Sequence, residues 1–296
     1  MRTKSVFEGS CCAIITPFDS NMHPDYEALG KIVDYQTENQ TDAIVACGTT
    51  GEASTLSDKE HLDVIRYIVE RVNGKIPVIA GTGSNDTAHA VMMSKEAYAI
   101  GADALLTVTP YYNKCSQRGL VHHFNTIADA TPLPCILYNV PSRTGVNISA
   151  DTLDILSNHP NIAAIKEASG NMAQVVSMIA RCADRIDFYS GCDEINVPMM
   201  SVGAKGAISV LANVSPKATH DMLAAALCGD FKKASRLQLD CLELISSLFC
   251  DVNPIPVKTA LGLMGFCGDN MRLPLYRLSE ENTQRLKKSL ENCNLL

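Results

Sequence analysis

The sequence contains no tryptophan, and only 5% of its 296 residues are aromatic. It also has no apolar run that approaches the ~20 residues of a membrane-spanning helix, so a membrane protein is not expected. The first apolar run covers only 11–15, which is too short for the core of a signal peptide. We therefore expect a cytoplasmic protein that binds no membrane.

Clusters of basic residues are also missing, and the formal net charge is −7. Binding to nucleic acid depends on concentrated Lys and Arg side chains, so nucleic acid is not an expected partner. A negative net charge does not exclude a small anionic substrate, because a few local donors are enough to bind it. Hydrophobic residues make up 46% of the chain, which is typical of a globular protein with a large core.

The twelve cysteines form no C-x-x-C pair, and His122 and His123 are neighbours without a suitably spaced thiol or carboxylate. We therefore expect neither a disulfide framework nor a metal site, and we interpret most cysteines as small, reduced core residues. The Gly81-Thr82-Gly83 turn does not continue as G-x-G-x-x-G, so a nucleotide cofactor is not expected either.

Short β-rich apolar runs alternate with longer amphipathic segments along the first 210 residues. The predicted strands cover 11–16, 43–47, 77–80, 104–108, 135–139, 162–166, 187–190 and 207–210. The predicted helices between them cover 25–40, 57–72, 86–100, 117–130, 150–157, 172–182 and 196–202. Eight parallel strands with intervening helices predict an α/β fold of the (β/α)8 TIM-barrel class.

After the last strand the sequence predicts only helices, over 216–227, 231–249, 257–264 and 280–290. The first of these completes the outer ring of the barrel. We therefore predict a catalytic barrel over 1–228 and a C-terminal helical bundle, packed on the barrel, over 229–296. The proline-containing stretches 253–256 and 272–274 are predicted to be rigid turns within the bundle.

Lys166 lies at the end of a short apolar run that is predicted to be a buried strand. Burial disfavours the charged form of an amine, which makes such a lysine a candidate Schiff-base nucleophile. The alternative is a strand-end lysine whose amine reaches solvent. Strand alternation predicts that Lys166, Ala164 and Ile162 face the barrel interior, whereas Ile165 and Glu167 face outward.

Further candidates follow other strands, because active sites of such barrels form at the carboxyl ends of the strands. Tyr138 ends the fifth strand and could exchange protons beside Lys166, although a buried tyrosine is commonly a core residue. The loop at 48–52 could bind a carboxylate or be a plain tight turn. Arg143 could hold a second carboxylate or be a solvated surface residue. Tyr111 and Tyr112 could be covered by another subunit.

These residues resemble the dihydrodipicolinate synthase and N-acetylneuraminate lyase family over essentially the whole chain. The resemblance is carried by G-x-x-G-E at 48–52, the Tyr-Asn-Val-Pro-Ser-Arg-Thr-Gly segment at 138–145, and Ile-Lys-Glu at 165–167. Within the family, the sequence is most similar to the synthase branch. The similarity lies in the full forms of the first two motifs and in the segments 109–113, 253–258 and 272–274.

The resemblance implies condensation of pyruvate with L-aspartate-4-semialdehyde to 4-hydroxy-tetrahydrodipicolinate, in diaminopimelate and lysine biosynthesis. It implies a covalent imine on Lys166 and no separate cofactor. It further implies a homodimer or homotetramer, because the tyrosine matching Tyr112 comes from the neighbouring subunit. The implied catalytic residues are Lys166, Tyr138, Thr49 and Tyr112, and the implied substrate-binding residues are Thr50, Arg143, Gly191 and Ile208.

The same resemblance implies a possible allosteric cleft formed by Asn85, Tyr111, His61 and His89. Members that lysine inhibits carry an acidic residue at the position of His89 and a histidine at that of Asp58. His89 provides no carboxylate for the effector's ammonium group, so we expect weak or absent inhibition by lysine. The sequence leaves the roles of Cys47 and Cys115 open.

Two alternative functions remain at this point. The first is a related aldolase that makes or cleaves a 2-oxo sugar acid through the same lysine. Arg143 argues against it, because a polyol chain offers no carboxylate to a guanidinium group. The second is a barrel that has lost catalysis and serves as a binding or regulatory protein, which the presence of every expected chemical group disfavours.

Overall fold

A closed barrel of eight parallel strands forms the centre of the structure, a computed structural model that describes residues 5–296. Sequential strands are neighbours, and β8 pairs with β1 to close the barrel. The strands are β1 (Gly9–Ala13), β2 (Ala43–Ala46), β3 (Val78–Gly81), β4 (Ala104–Val108), β5 (Cys135–Asn139), β6 (Ile162–Glu167), β7 (Asp187–Ser190) and β8 (Gly206–Ser209). The predicted (β/α)8 fold is confirmed.

The outer ring and the C-terminal extension are helical. The ring contains α1 (Tyr26–Glu38), α2 (Asp58–Val72), α3 (Thr87–Ile100), α4 (Gln117–Ala128), α5 (Pro141–Thr144), α6 (Ala150–Leu156), α7 (Met172–Cys182), α8 (Asn196–Ser201) and α9 (Pro216–Leu227). The extension contains α10 (Phe231–Asp240), α11 (Leu242–Leu248), α12 (Ile255–Leu263) and α13 (Glu280–Asn292). Short 3₁₀ helices at Ala53–Thr55, Asp193–Ile195 and Leu211–Asn213 follow strand ends.

Two differences from the predicted helices have local causes. The segment 231–249 is two helices instead of one, because ψ of Cys241 is −7° and the chain turns there. Helix α12 begins at Ile255, before the predicted start, and includes Pro256 in its first turn. Proline is tolerated there because its missing N–H would have no partner within the helix.

The buried apolar side chains form two layers. A small cluster fills the barrel interior, and a larger one lies between the strands and the surrounding helices. Leu244, Leu261 and Leu286 of the extension belong to the larger cluster, so the extension and the ring share one apolar layer. The division of the chain at 229 stays a sequence-based prediction.

Strand β6 contains a bulge that changes which side chains face inward. Cys135 pairs with Ile162, but the next residue of β5, Ile136, pairs with Ala164, so Ala163 is an extra residue. Ala164 therefore faces the interior as predicted, while Ile162 lies with Ile165 in the outer apolar layer. The prediction of an inward Ile162 was wrong because simple alternation cannot include a bulge.

No helix within 5–296 combines the length and the apolar character that crossing a membrane would require.

Candidate active site

A cavity of about 400 Å³ lies at the carboxyl ends of the strands. Its lining comes from the chain that follows several strands, which is the arrangement expected of an active site in this fold. Among the residues that line it are Thr49 after β2, Tyr111 after β4, Tyr138 in β5 and Arg143 in α5. Four side chains predicted from three motifs are therefore brought to one cavity.

Lys166 and Tyr138 are direct register partners across β5 and β6. The Nζ atom of Lys166 lies 4.3 Å from the centre of the Tyr138 ring, and the two residues are 7% and 8% exposed. An amine held against the face of a phenol ring is stabilised by the ring quadrupole. The pair therefore places a nucleophile next to a proton-transfer group; Tyr138 lines the cavity, whereas Lys166 does not line it in this single chain.

A second tyrosine, Tyr189, pairs with Lys166 on the other side, in β7. Its hydroxyl donates to the carbonyl oxygen of Phe7 at 2.8 Å, and its ring stacks on Phe7. Burial raises the pKa of Tyr189, so its phenol stays protonated. Tyr138 is consequently the neighbouring phenol that remains available for proton transfer.

Gly191 directly follows β7, and Ile208 lies in β8. A Cβ atom at Gly191 would lie 3.0 Å from Cε of Lys166 and 2.7 Å from Cβ of Ala168, so only glycine leaves room for the lysine chain. Ile208 is buried in the interior cluster that also contains Tyr138. Gly191 therefore lies against the lysine chain and Ile208 lies in the barrel interior, although neither lines the cavity in this single chain.

The loop at 48–52 is flanked by strained backbone. Cys47 and Glu52 both have φ of 53°, a left-handed conformation that costs a non-glycine residue of order 1–2 kcal/mol. The hydroxyl of Thr16 donates to the carbonyl oxygen of Gly51 at 2.7 Å and holds the loop to the segment that follows β1.

A buried ion pair joins this loop to the C-terminal extension. Glu52 pairs with Lys258 of α12, and both side chains are fully buried. Nζ of Lys258 also donates to the carbonyl oxygen of Asn270 at 3.0 Å and lies 4.1 Å from the centre of the Phe18 ring. Burial lowers the pKa of Lys258, and the Glu52 carboxylate opposes that shift.

Asn253 contacts two of the predicted substrate-binding residues. Its side-chain Nδ2 donates to Oγ1 of Thr50 at 2.9 Å, and its carbonyl oxygen accepts from Nη2 of Arg143 at 3.0 Å. Sequence reasoning placed Asn253 and Lys258 in a turn and in an extra helix without a role in the site. Lys258 offered a signal, since it is a cation within the apolar segment 255–263, as Lys166 is within β6.

Tyr112 does not enter the cavity of its own chain. It is 91% exposed and has φ of 69°. Asn85 supports this loop, because its side chain donates to the carbonyl oxygen of Tyr111 at 3.2 Å and its carbonyl accepts from Asn113 at 2.9 Å. The loop therefore presents the Tyr112 ring outward.

Three of the four residues of the predicted allosteric cleft line the same cavity, namely His61, His89 and Tyr111, whereas Asn85 does not. Nε2 of His61 donates to the carbonyl oxygen of Gly81 at 2.7 Å, and burial lowers the pKa of His61. Nε2 of His89 lies 2.9 Å from Oδ1 of Asp58. The cleft therefore contains a carboxylate, which belongs to Asp58, and His89 is hydrogen-bonded to one of its two oxygens.

The cysteines near the cavity are unsuited to act as nucleophiles. Cys47 lines the cavity but is only 2% exposed, and burial raises its pKa far above neutrality. Burial also raises the pKa of half-buried Cys115. All twelve cysteines are free thiols, of which six are buried and only Cys228 is exposed. Within 5–296, no three His, Cys, Asp or Glu side chains are grouped to bind a metal ion.

Comparison with known proteins gives consistent matches over the whole fold. The model of the dihydrodipicolinate synthetase family matches residues 6–293. A protein of Caldicellulosiruptor saccharolyticus named 4-hydroxy-tetrahydrodipicolinate synthase is 55% identical over 96% of both chains. One of the same name from Geobacter sulfurreducens is 53% identical over 98% of this chain and 100% of its own.

Solved structures of dihydrodipicolinate synthases superimpose closely. The Aquifex aeolicus protein has a TM-score of 0.96, 46% identity, and coverage of 98% of this chain and 99% of its own. The Acinetobacter baumannii enzyme, complexed with pyruvate, has a TM-score of 0.96 and 45% identity, and the match covers 98% of this chain and 99% of its own. The Cyanidioschyzon merolae protein, with lysine bound, has a TM-score of 0.95 and 36% identity, and the match covers 99% of this chain and 100% of its own. The chain belongs to the dihydrodipicolinate synthetase family.

Proposed function

We propose that this protein condenses pyruvate with L-aspartate-4-semialdehyde to 4-hydroxy-tetrahydrodipicolinate, through an imine on Lys166. The observation that carries the proposal is the pairing of the Lys166 amine with the ring of Tyr138, which lines the cavity. Relatives about half identical over nearly their full length bear the name of this activity.

The reaction begins when Nζ of Lys166 attacks the ketone carbon of pyruvate and water leaves. The imine withdraws electrons, so a methyl proton is lost and an enamine forms. The enamine carbon attacks the aldehyde of the second substrate, whose oxygen takes a proton. The amine of that substrate then attacks the imine carbon, closes the ring and releases Lys166. The lysine itself supplies the electron sink, so the reaction requires no separate cofactor.

Tyr138 is the proton donor and acceptor beside the imine in this proposal, because its phenol ring lies against the amine. Thr49 and the Tyr112 of a neighbouring subunit complete a proton path to solvent. Thr50 holds the pyruvate carboxylate, and Gly191 and Ile208 border the imine. Arg143 holds the carboxylate of the semialdehyde.

The proposal includes a homodimer or homotetramer as the active form, acting in the cytoplasm on two small-molecule substrates. Its support is the position of Tyr112, which is 91% exposed and directed away from its own cavity. A second copy would bury the ring and supply its phenol to the neighbouring site.

Reduction with borohydride in the presence of pyruvate tests the proposal directly. The imine should be trapped as a stable mass adduct on Lys166, while the Lys166→Arg variant should remain unmodified. A coupled assay should then show turnover with aspartate semialdehyde and none with neutral sugar aldehydes. An unmodified protein would support the non-catalytic alternative, and preference for sugar aldehydes would support a sugar-acid aldolase.

A further inference from the structure

Asn253 follows α11 and directly precedes Pro254 and α12, so it belongs to the C-terminal extension and not to the barrel. It is nevertheless only 6% exposed and reaches both Thr50 and Arg143. The following helix, α12, helps to fix its position. Lys258 of α12 forms a buried ion pair with Glu52, the last residue of the loop that carries Thr50. One hydrogen bond and one ion pair thus hold the Thr50 loop to this segment, and a second hydrogen bond joins Arg143 of α5 to it.

The hydrogen bond from Asn253 determines what the Thr50 hydroxyl can do. A hydroxyl group has one proton and two acceptor positions. The Nδ2 group of Asn253 occupies an acceptor position, and no other partner of the Thr50 hydroxyl occurs within 5–296. The hydroxyl proton is therefore free to be donated to a ligand, and a carboxylate is an acceptor that strengthens such a bond.

The other end of the Asn253 amide argues against a purely structural role. Its Oδ1 atom is buried and has no hydrogen-bond partner among the described residues. An amide kept for stability alone would be expected to have both ends paired, because an unpaired buried polar atom costs free energy. Among the described residues, the Asn253 amide therefore makes a hydrogen bond only through its donor side, which faces Thr50.

We propose that Asn253 is a positioning residue for the condensation, which directs the Thr50 hydroxyl proton to the pyruvate carboxylate and holds Arg143 through its main-chain carbonyl. This inference rests on the proposed function, because it assigns the two groups to the two carboxylates. Asn253 touches neither reacting carbon, so it acts through Thr50 and Arg143 alone.

The two roles use different atoms, which makes them separable by substitution. Asn253→Asp replaces the donor by an acceptor of the same shape and keeps the main-chain carbonyl. The new carboxylate takes the Thr50 proton and also repels the substrate carboxylate. We expect KM for pyruvate to rise about 10- to 100-fold, the loss for one hydrogen bond to a charged group, with KM for the semialdehyde nearly unchanged.

Protonation should restore the donor in Asn253→Asp. As the pH falls toward the usual range of a carboxyl group, KM for pyruvate of the variant should approach that of the wild type measured at the same pH. Asn253→Ala removes the donor without adding a charge, so it should show a smaller rise in KM without this pH dependence. It also serves as the second variant if Asn253→Asp does not fold.

A double-mutant cycle with Thr50→Val tests whether Asn253 acts through the hydroxyl. Thr50→Val alone should raise KM for pyruvate, and adding Asn253→Ala should raise it no further. Additive effects would overturn the inference, and so would an unchanged KM in Asn253→Asp, which would mean that the amide oxygen accepts the Thr50 proton. A wild type that forms no borohydride adduct would instead overturn the proposed function itself.

Discussion

The amine of Lys258 and the carboxylate of Glu52 form an ion pair from which water is excluded, with both side chains fully buried. Glu52 ends the loop that carries Thr49 and Thr50, whereas Lys258 lies more than two hundred residues away in α12. The main-chain N–H of Arg272 adds a second donor to Glu52 at 3.3 Å. The C-terminal extension therefore supports the loop on which carboxylate binding depends.

Replacing one member of this pair should destabilise the protein strongly. Lys258→Met retains the length of the side chain but leaves the Glu52 charge buried without its partner, and we expect a loss of about 3–5 kcal/mol in the free energy of unfolding. The matched control is Lys31→Met, which removes an exposed pair with Glu27 and should leave the free energy of unfolding nearly unchanged. Urea unfolding of both variants makes the comparison, and equal losses would contradict it.

How far the sequence predicts this site depends on the range of each interaction. The capping box of α2 is a local feature that the sequence itself indicates, because Ser57 and Glu60 are three residues apart and exchange hydrogen bonds. Lys166 and Tyr138 meet because regular strands place consecutive elements side by side. The pairing of Lys258 with Glu52 depends on how the C-terminal extension packs against the barrel. Hydrophobic periodicity does not predict which residues meet in that packing.

Gly191→Ala should impair imine formation more than it impairs folding. The added Cβ would approach Cε of Lys166 to 3.0 Å and Cβ of Ala168 to 2.7 Å, so the lysine chain must move away from its place against Tyr138. We expect slower trapping of pyruvate by borohydride and a lower kcat. Gly268→Ala is the control, because its Cβ would have ordinary contacts at 3.4 Å and leave trapping unchanged. Equal trapping rates in the two variants would show that Gly191 gives Lys166 no essential space.

Arg143→Ala should separate the two substrates. The guanidinium is held by Asn253 at the cavity and is assigned to the second substrate, so pyruvate should still be trapped on Lys166 at the wild-type rate. We expect kcat/KM for aspartate semialdehyde to fall about 10- to 100-fold, the effect of losing a charge-assisted hydrogen bond. If Arg143→Ala keeps the wild-type kcat/KM for aspartate semialdehyde, the result would favour the sugar-acid aldolase over the synthase.

Glu60→Gln should weaken the attachment of the extension in a pH-dependent way. Arg272 donates to both Glu60 oxygens, at 2.9 and 2.6 Å, and lowers the pKa of Glu60 from 4.5 to about 2. Because the folded-state pKa is depressed, the contribution is fully present above about pH 4.5 and is lost as the pH falls toward 2.

Glutamine keeps the capping box, so the substitution isolates the ion pair. At pH 7 we expect a loss on the order of 2 kcal/mol in urea unfolding, since the pair is partly solvated. The difference between wild type and Glu60→Gln should shrink when the measurement is repeated below pH 4.5. A difference that stays constant into this range would assign the effect to packing instead of charge.

Lysine should inhibit this protein weakly, because the only carboxylate placed in the cleft by the described residues is that of Asp58, which His89 contacts at 2.9 Å. A lysine ammonium must displace His89 to reach it. We expect half-inhibition above about 1 mM in initial-rate titrations, which corresponds to a binding free energy weaker than about −4 kcal/mol. The double substitution Asp58→His/His89→Glu places a carboxylate on α3 and should lower the half-inhibiting concentration. If the wild type is already inhibited below that concentration, the Asp58–His89 contact does not block the effector.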